Sequence, residues 1–130
     1  MSSSDKISLR RCGRGYLIAA SLCGVFGFTY EQFSHGVYSE CMLLFFLIPL
    51  LGGALPSFAL LSARRAPGRV TRCLWACAMA TLSVGCCLSG VFEIYGTVSS
   101  LLVFYWVAGG GLTVSGLGHY LLSDIRRSCA

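Results

Sequence analysis

Four side chains in two polar segments of this 130-residue chain have the chemistry of a cation-binding site: Glu31, His35, Glu93 and Tyr95. Glu31 and His35 are four residues apart, so they lie on one face if the helix before them continues by a turn. A partly desolvated carboxylate needs a proton or a cationic partner, and histidine titrates near neutral pH. These residues predict a pH-sensitive site for a cation or a small amine, with Tyr95 supplying a hydroxyl or a ring face. The alternative interpretation is a solvated acidic rim.

Other reactive residue types do not form a recognisable catalytic or metal site. The eight cysteines include no C-x-x-C pair and no Cys/His spacing suited to zinc. Ser115 and His119 are one helical turn apart, but no third residue is placed to orient the histidine. We therefore expect no enzyme activity, no cofactor and no metal centre.

The elements that must position these residues are four apolar stretches. Each is close to the roughly 20 helical residues that cross a bilayer, and they run approximately over 15–30, 41–62, 73–92 and 101–122. The chain is 55% hydrophobic and only 12% charged, which is too little charge to wet the surface of a small soluble domain. The pattern predicts a single all-α domain, an antiparallel four-helix transmembrane bundle.

The charged residues are sorted between the two sides of that bundle. All ten basic residues precede the first span, lie between spans two and three, or follow span four: Lys6, Arg10, Arg11, Arg14, Arg64, Arg65, Arg69, Arg72, Arg126 and Arg127. The segments 31–40 and 93–100 contain no basic residue and carry Glu31, Glu40 and Glu93. The positive-inside rule then predicts both termini in the cytoplasm of a multi-pass cell-membrane protein.

Small residues are placed where helices could pack closely in lipid. The third span repeats them every four residues, at Cys73, Cys77, Thr81, Gly85 and Ser89. The predicted packing positions, one or two in each span, are Gly24, Gly53, Gly85, Ser89 and Gly111.

Proline and glycine interrupt the second span. Pro49 and Pro56 flank the pair Gly52-Gly53, so this span is expected to be kinked or locally unwound. Membrane helices tolerate such residues, and the first interpretation is an ordinary irregularity. The second is a substrate site of the kind that broken helices form in transporters.

Three segments resemble those of uncharacterised small four-span integral membrane proteins of anaerobic Firmicutes. They are Tyr30–Ser39, Pro49–Pro56 and Glu93–Thr97, and the similarity covers most of the region from Tyr30 to Trp106. The resemblance implies a bacterial membrane protein with four spans, and it transfers no function.

Two classes of function remain. In the first, the protein is a non-enzymatic accessory or ligand-sensing subunit that packs against a membrane partner. In the second, it is a carrier or channel for a cation or small amine and works as an oligomer. The first is favoured because no charged residue lies deep in a span, whereas transport pathways usually contain one. The expected partners are the lipid bilayer and either a second copy or another membrane protein, with no nucleic acid.

A membrane redox subunit is disfavoured by the same topology. His35 and His119 are expected on opposite faces of the membrane, so one chain cannot hold a haem between them. Cys41 is the one cysteine expected near the outer edge, whereas four-helix enzymes that form disulfides use paired outer cysteines.

Overall fold

The computed structural model describes residues 3–33, 40–65, 67–97 and 99–128, with the side chains at 42–43 and 126–128 excepted. In chain order the elements are α1 (Ser3–Phe33), α2 (Glu40–Leu44), a π-helical stretch called the π segment (Ile48–Ala54), α3 (Leu55–Ser62), α4 (Arg69–Ile94) and α5 (Leu102–Ser128). The described residues contain no strand. The predicted all-α class is therefore confirmed for this part of the chain.

Helix contacts arrange these elements as an antiparallel bundle. α1 packs against α2, the π segment and α3, while α4 packs against α2, the π segment and α5. At one end, Arg72 Nη1 donates to Ser8 Oγ, which joins the starts of α4 and α1. At the same end Arg65 pairs with Asp124 near the end of α5. We call this the basic end, and we call the opposite end, where α1 and α4 finish and α2 begins, the acidic end.

The long helices extend beyond the apolar stretches. α1 contains 31 residues, α4 26 and α5 27. α1 already begins at Ser3, because its polar first turns bury Leu9 and Gly13 against the bundle. α1 and α4 are the two described helices that are both long and apolar enough to cross a membrane. α5, although 27 residues long, is not among them.

The second apolar stretch is divided into α2, the π segment and α3. Proline has no N–H, so Pro56 cannot donate to the oxygen of Gly52 four residues earlier. The indole Nε1 of Trp75 in α4 donates to that oxygen instead, at 2.7 Å. The Ser57 hydroxyl donates to the neighbouring oxygen of Gly53, also at 2.7 Å. We call the region around Gly52 and Gly53, where the π segment meets α3, the break. Side chains supply hydrogen-bond donors to its backbone oxygens.

Close packing at the break depends on the glycine pair. A Cβ on Gly53 would overlap the ring of Tyr16 in α1, and a Cβ on Gly52 would overlap the sulfur of Met79 in α4. The pair lets α1 and α4 approach the π segment from two sides, since a larger residue at either position would have to displace Tyr16 or Met79. Gly53 is one of the packing positions named from the sequence.

The packing positions in α1 and α4 have different surroundings. A Cβ on Gly85 would lie 2.9 Å from Tyr105 Cβ, so α4 and α5 approach closely there. Ser89 lies one turn later and donates to the oxygen of Gly85 at 2.9 Å. A Cβ on Gly24 would lie 3.9 Å from Phe46, which is ordinary contact.

Gly111 in α5 does not lie at a close approach in the structure. It is exposed, and a Cβ there would meet no described atom within 4 Å. A Cβ on Gly109 would overlap the side chain of Leu82, and one on Gly116 would lie 3.5 Å from Trp75. α5 therefore contacts α4 through Gly109 and Gly116, because these two glycines share the helix face that turns toward α4.

Candidate functional site

The acidic end contains three of the four residues in the predicted cation site, and the fourth, His35, lies outside the described residues. Glu31 is in the last turn of α1, and only 9% of its surface is exposed. An ionised carboxylate attracts cations strongly where little water screens its charge. Among the described acidic residues Glu31 is the most buried, so a cation held there would be the least screened by water.

Glu93 lies near the end of α4 and is exposed. Its Oε1 accepts a hydrogen bond from the thiol of Cys41, at the start of α2, over 3.5 Å. The backbone oxygen of Cys41 accepts in turn from the Cys86 thiol, at 3.4 Å. These contacts tie α2 to α4 beside the predicted site.

Cys86 corrects the expectation that Cys41 stands alone near this end. The two residues are 45 positions apart, yet Cys86 packs against Cys41 and is 7% exposed. Both are free thiols. Sequence spacing carries no signal for this pairing, because it depends on how α2 docks onto α4.

Tyr95 follows the last residue of α4 and is 71% exposed. Gly96 ends the helix directly after Tyr95. Its φ of +68° closes the helix, with Gly96 N–H donating to the oxygen of Glu93 at 3.1 Å. Glycine adopts this left-handed conformation at helix ends without a Cβ clash. Glu93, in the last turn of α4, and Tyr95 therefore lie at the end of the bundle where α1 finishes near Glu31.

A second candidate site was not predicted from the sequence. A cavity of about 690 Å³ lies toward the basic end, between α1, α3, α4 and α5. We call it the basic-end cavity. Its wall is almost entirely apolar and includes Leu9, Tyr16, Leu60, Trp75, Leu117 and Tyr120. Its size and character are those of pockets that bind small apolar ligands.

Small residues on every bordering helix leave the space that forms this cavity. They are Gly15, Ala19, Ala59, Ala63, Ala76 and Gly116. Each helix contributes only one or two of them, so no repeating pattern of small residues indicates the cavity in the sequence. The cavity arises because the break in the second stretch directs α3 along α1 and leaves a gap before α5.

Polar side chains in the cavity wall are held by partners on other helices. Arg72 donates to Ser8 Oγ at 2.5 Å. Thr71 Oγ1 and His119 Nδ1 are 2.9 Å apart and form a hydrogen bond between α4 and α5. Ser115 does not serve as the partner of His119, because its hydroxyl donates to the oxygen of Gly111 at 2.8 Å. His119 therefore joins two helices.

Comparison with known proteins returns no match. No family model matches this chain, and neither a curated protein nor a solved structure matches it.

Proposed function

We propose that the protein is a multi-pass protein of the cell membrane with four spans. Support comes from α1 and α4, whose most apolar windows are only 17% and 28% buried. The core helix of a soluble protein would be mostly buried. Large apolar side chains such as Ile18, Val25 and Val107 point outward instead. A continuous surface of this kind suits lipid better than water.

The proposed orientation places both termini in the cytoplasm. Its support is that the helix contacts gather Arg65 and Arg72 at the same end as the start of α1. The segments at the acidic end carry no lysine or arginine. Under the positive-inside rule, the basic end then faces the cytoplasm and the acidic end faces outward.

Within the membrane, we propose a non-enzymatic role as an accessory, ligand-sensing subunit. The observation that carries this proposal is the basic-end cavity beside the break in the second span. Trp75 lines the cavity and also donates to the oxygen of Gly52 at the break. A ligand that contacts Trp75 would favour one arrangement of the π segment against α4, and binding shifts populations in this way. A second copy or another membrane protein packed against these helices would respond to the change in their arrangement.

The test asks whether an apolar ligand enters the cavity. The chain contains two tryptophans, so the variant Trp106→Phe leaves Trp75 as the only indole fluorophore. The purified full chain in detergent is titrated with 9,10-dibromostearyl alcohol, a neutral quencher with one alkyl chain. We expect saturable quenching of Trp75, because the indole lines the cavity.

Two alanines on α4 provide a matched pair of variants for this titration. Ala76 lines the cavity, whereas Ala80, one turn later, is exposed and lies outside the wall. Ala76→Phe should abolish saturable quenching, and Ala80→Phe should preserve it. Equal quenching in both variants would mean that the probe only dissolves in the detergent around the protein, and the ligand-sensing role would then fail.

A second candidate function is a carrier or channel for a cation or small amine, working as an oligomer. Burial of Glu31 at the acidic end favours it. Its test is uptake of methylammonium into liposomes containing the full chain. Glu31→Gln should remove uptake, and Glu40→Gln, at an exposed position of α2, should retain it. If there is no uptake, or if uptake survives Glu31→Gln, this candidate is rejected.

A further inference from the structure

We propose that the basic-end cavity holds one acyl chain of an anionic membrane lipid whose phosphate headgroup is bound by Arg72. The proposal rests on the ligand-sensing role and names the class of ligand. Its basis is the juxtaposition of an apolar cavity of about 690 Å³ with an arginine in the wall.

The interior of the cavity selects an apolar chain. Three polar side chains of the wall are engaged elsewhere: Thr71 with His119, and Ser57 and Trp75 with the carbonyls at the break. The surface that the wall exposes to the cavity is almost entirely apolar. A polar ligand would lose hydrogen bonds to water and gain few in return. The portion of a ligand that enters the cavity is therefore hydrocarbon.

Arg72 provides the site for an anionic headgroup. It lies in the first turns of α4, is half-buried and forms part of the wall. Its hydrogen bond to the hydroxyl of Ser8 uses one of the five guanidinium N–H donors and brings no opposite charge. Guanidinium groups bind phosphate oxygens in a bidentate manner. In the proposed orientation, this arginine lies at the level of the cytoplasmic headgroups.

Charge around the cavity favours an anionic lipid over a zwitterionic one. Arg10, Arg11 and Arg14 are exposed on the part of α1 that borders the cavity, and Arg69 is exposed one turn before Arg72. Clusters of basic residues beside a membrane attract anionic lipids of the cytoplasmic leaflet. A second copy of this chain is a poorer occupant, because copies with the same orientation would bring their basic ends together.

The arrangement of the helices gives a lipid chain a lateral path. The cavity is lined by α1 and by α5, but among the described residues α5 packs along α4 and makes no comparable contact with α1. The gap between α1 and α5 therefore faces the surrounding bilayer in the proposed topology. An acyl chain can enter through this gap while its headgroup stays at the membrane surface.

The test is native mass spectrometry of the full chain released from nanodiscs. The nanodiscs contain equal amounts of phosphatidylglycerol and phosphatidylcholine with identical chains. We expect wild type to retain one phosphatidylglycerol molecule in preference to phosphatidylcholine. Arg72→Gln should lower that preference roughly tenfold, the loss of one charge-assisted contact. Arg69→Gln, which removes an equal charge outside the cavity wall, should change it much less.

Further variants and a competitor separate this proposal from the role on which it rests. Ala76→Phe should remove the bound lipid and Ala80→Phe should keep it, with circular dichroism checking that both fold. If both lipids bind equally and Ala76→Phe removes both, the cavity holds a chain but the anionic assignment is wrong. If oleate displaces phosphatidylglycerol at equal concentration, a free fatty acid is the ligand and the lipid source is wrong. If neither lipid is retained and Trp75 shows no saturable quenching, both proposals fail.

Discussion

Among single residues, Trp75 links the basic-end cavity to the break in the second apolar stretch, and the sequence alone does not connect these two features. Its ring lines the basic-end cavity, and its indole N–H donates to the oxygen of Gly52 at 2.7 Å. That oxygen cannot accept a hydrogen bond from residue 56, which is proline and has no N–H. One side chain from α4 therefore contacts both the break in the second stretch and the basic-end cavity, which is why we assign it the sensing part of the proposed function.

Replacement of Trp75 by phenylalanine should destabilise the protein. The variant leaves the Gly52 oxygen without the donor that it has in the wild type, and we expect a loss of about 1–2 kcal/mol. Thermal unfolding in detergent measures it. Trp106→Phe is the control, because Trp106 is 45% exposed and should matter little. Equal midpoints for the two variants would show that the hydrogen bond to Gly52 contributes nothing.

The ends of the helices use two versions of one closing motif. α4 ends with Gly96 in the left-handed region, whereas α3 ends with Arg64 at a φ of 54°. After α3, Arg64 N–H donates to the oxygen of Leu61 at 3.3 Å, and Arg65 N–H donates to that of Leu60 at 3.0 Å. This is the hydrogen-bond pattern in which glycine is preferred. Arg64 therefore occupies a conformation that costs a residue with a Cβ of order 1 kcal/mol.

Substitution of Arg64 by glycine should relieve that strain. Arg64→Gly and Arg64→Ala remove the same charge, but only glycine adopts a positive φ without a Cβ clash. We expect Arg64→Gly to be up to about 1 kcal/mol more stable than Arg64→Ala. Chemical denaturation in mixed micelles compares the pair. An alanine variant as stable as the glycine variant would contradict the left-handed end of α3.

The α4–α5 contact should depend on glycine at position 85. A Cβ at this position would lie only 2.9 Å from Tyr105 Cβ. Gly85→Leu should therefore separate the helices and lower the free energy of unfolding by about 1–3 kcal/mol. Val84→Leu enlarges an apolar side chain at a position that is 48% exposed, so it should be tolerated. Thermal stability in detergent compares the two variants, and equal values would mean that Gly85 is not an interface residue.

Across the whole molecule, charge and hydrophobicity are arranged along one axis. The acidic end holds Glu31 and Glu93, and the opposite end holds the Arg65–Asp124 pair and Arg72 beside the cavity. Apolar helix surfaces lie between the two ends. This arrangement separates a candidate cation site from a candidate lipid site by the length of the bundle.

The proposed topology predicts which end of the molecule is accessible from outside the cell. In a background with the eight native cysteines replaced by alanine, Thr97→Cys should react with a membrane-impermeant maleimide on intact cells. Arg64→Cys should react only after the membrane is permeabilised. Tags at both termini should report the cytoplasm. A C-terminal tag that reports the outside would overturn the four-span proposal.

Sequence patterns were sufficient for the features that depend on local physics. Long apolar stretches favour helices, because a helix satisfies the backbone hydrogen bonds within the stretch itself. Pro49, Pro56 and the glycines between them indicated the break, since proline removes a donor wherever it stands in a helix. The gathering of Glu31, Glu93 and Tyr95 at one end follows from antiparallel helices joined in order.

Tertiary structure alone decided which side chains meet. Cys86 reaches Cys41 across 45 residues, His119 bonds to Thr71 and not to Ser115, and Trp75 donates to Gly52. Helical period places a residue on a face, but the rotation and depth at which two helices dock determine its neighbour. The cavity is a further example, because it is the space left when α5 packs on α4 and not on α1. The space between helices depends on how several helices pack together, so it cannot be predicted from the residues of a single sequence.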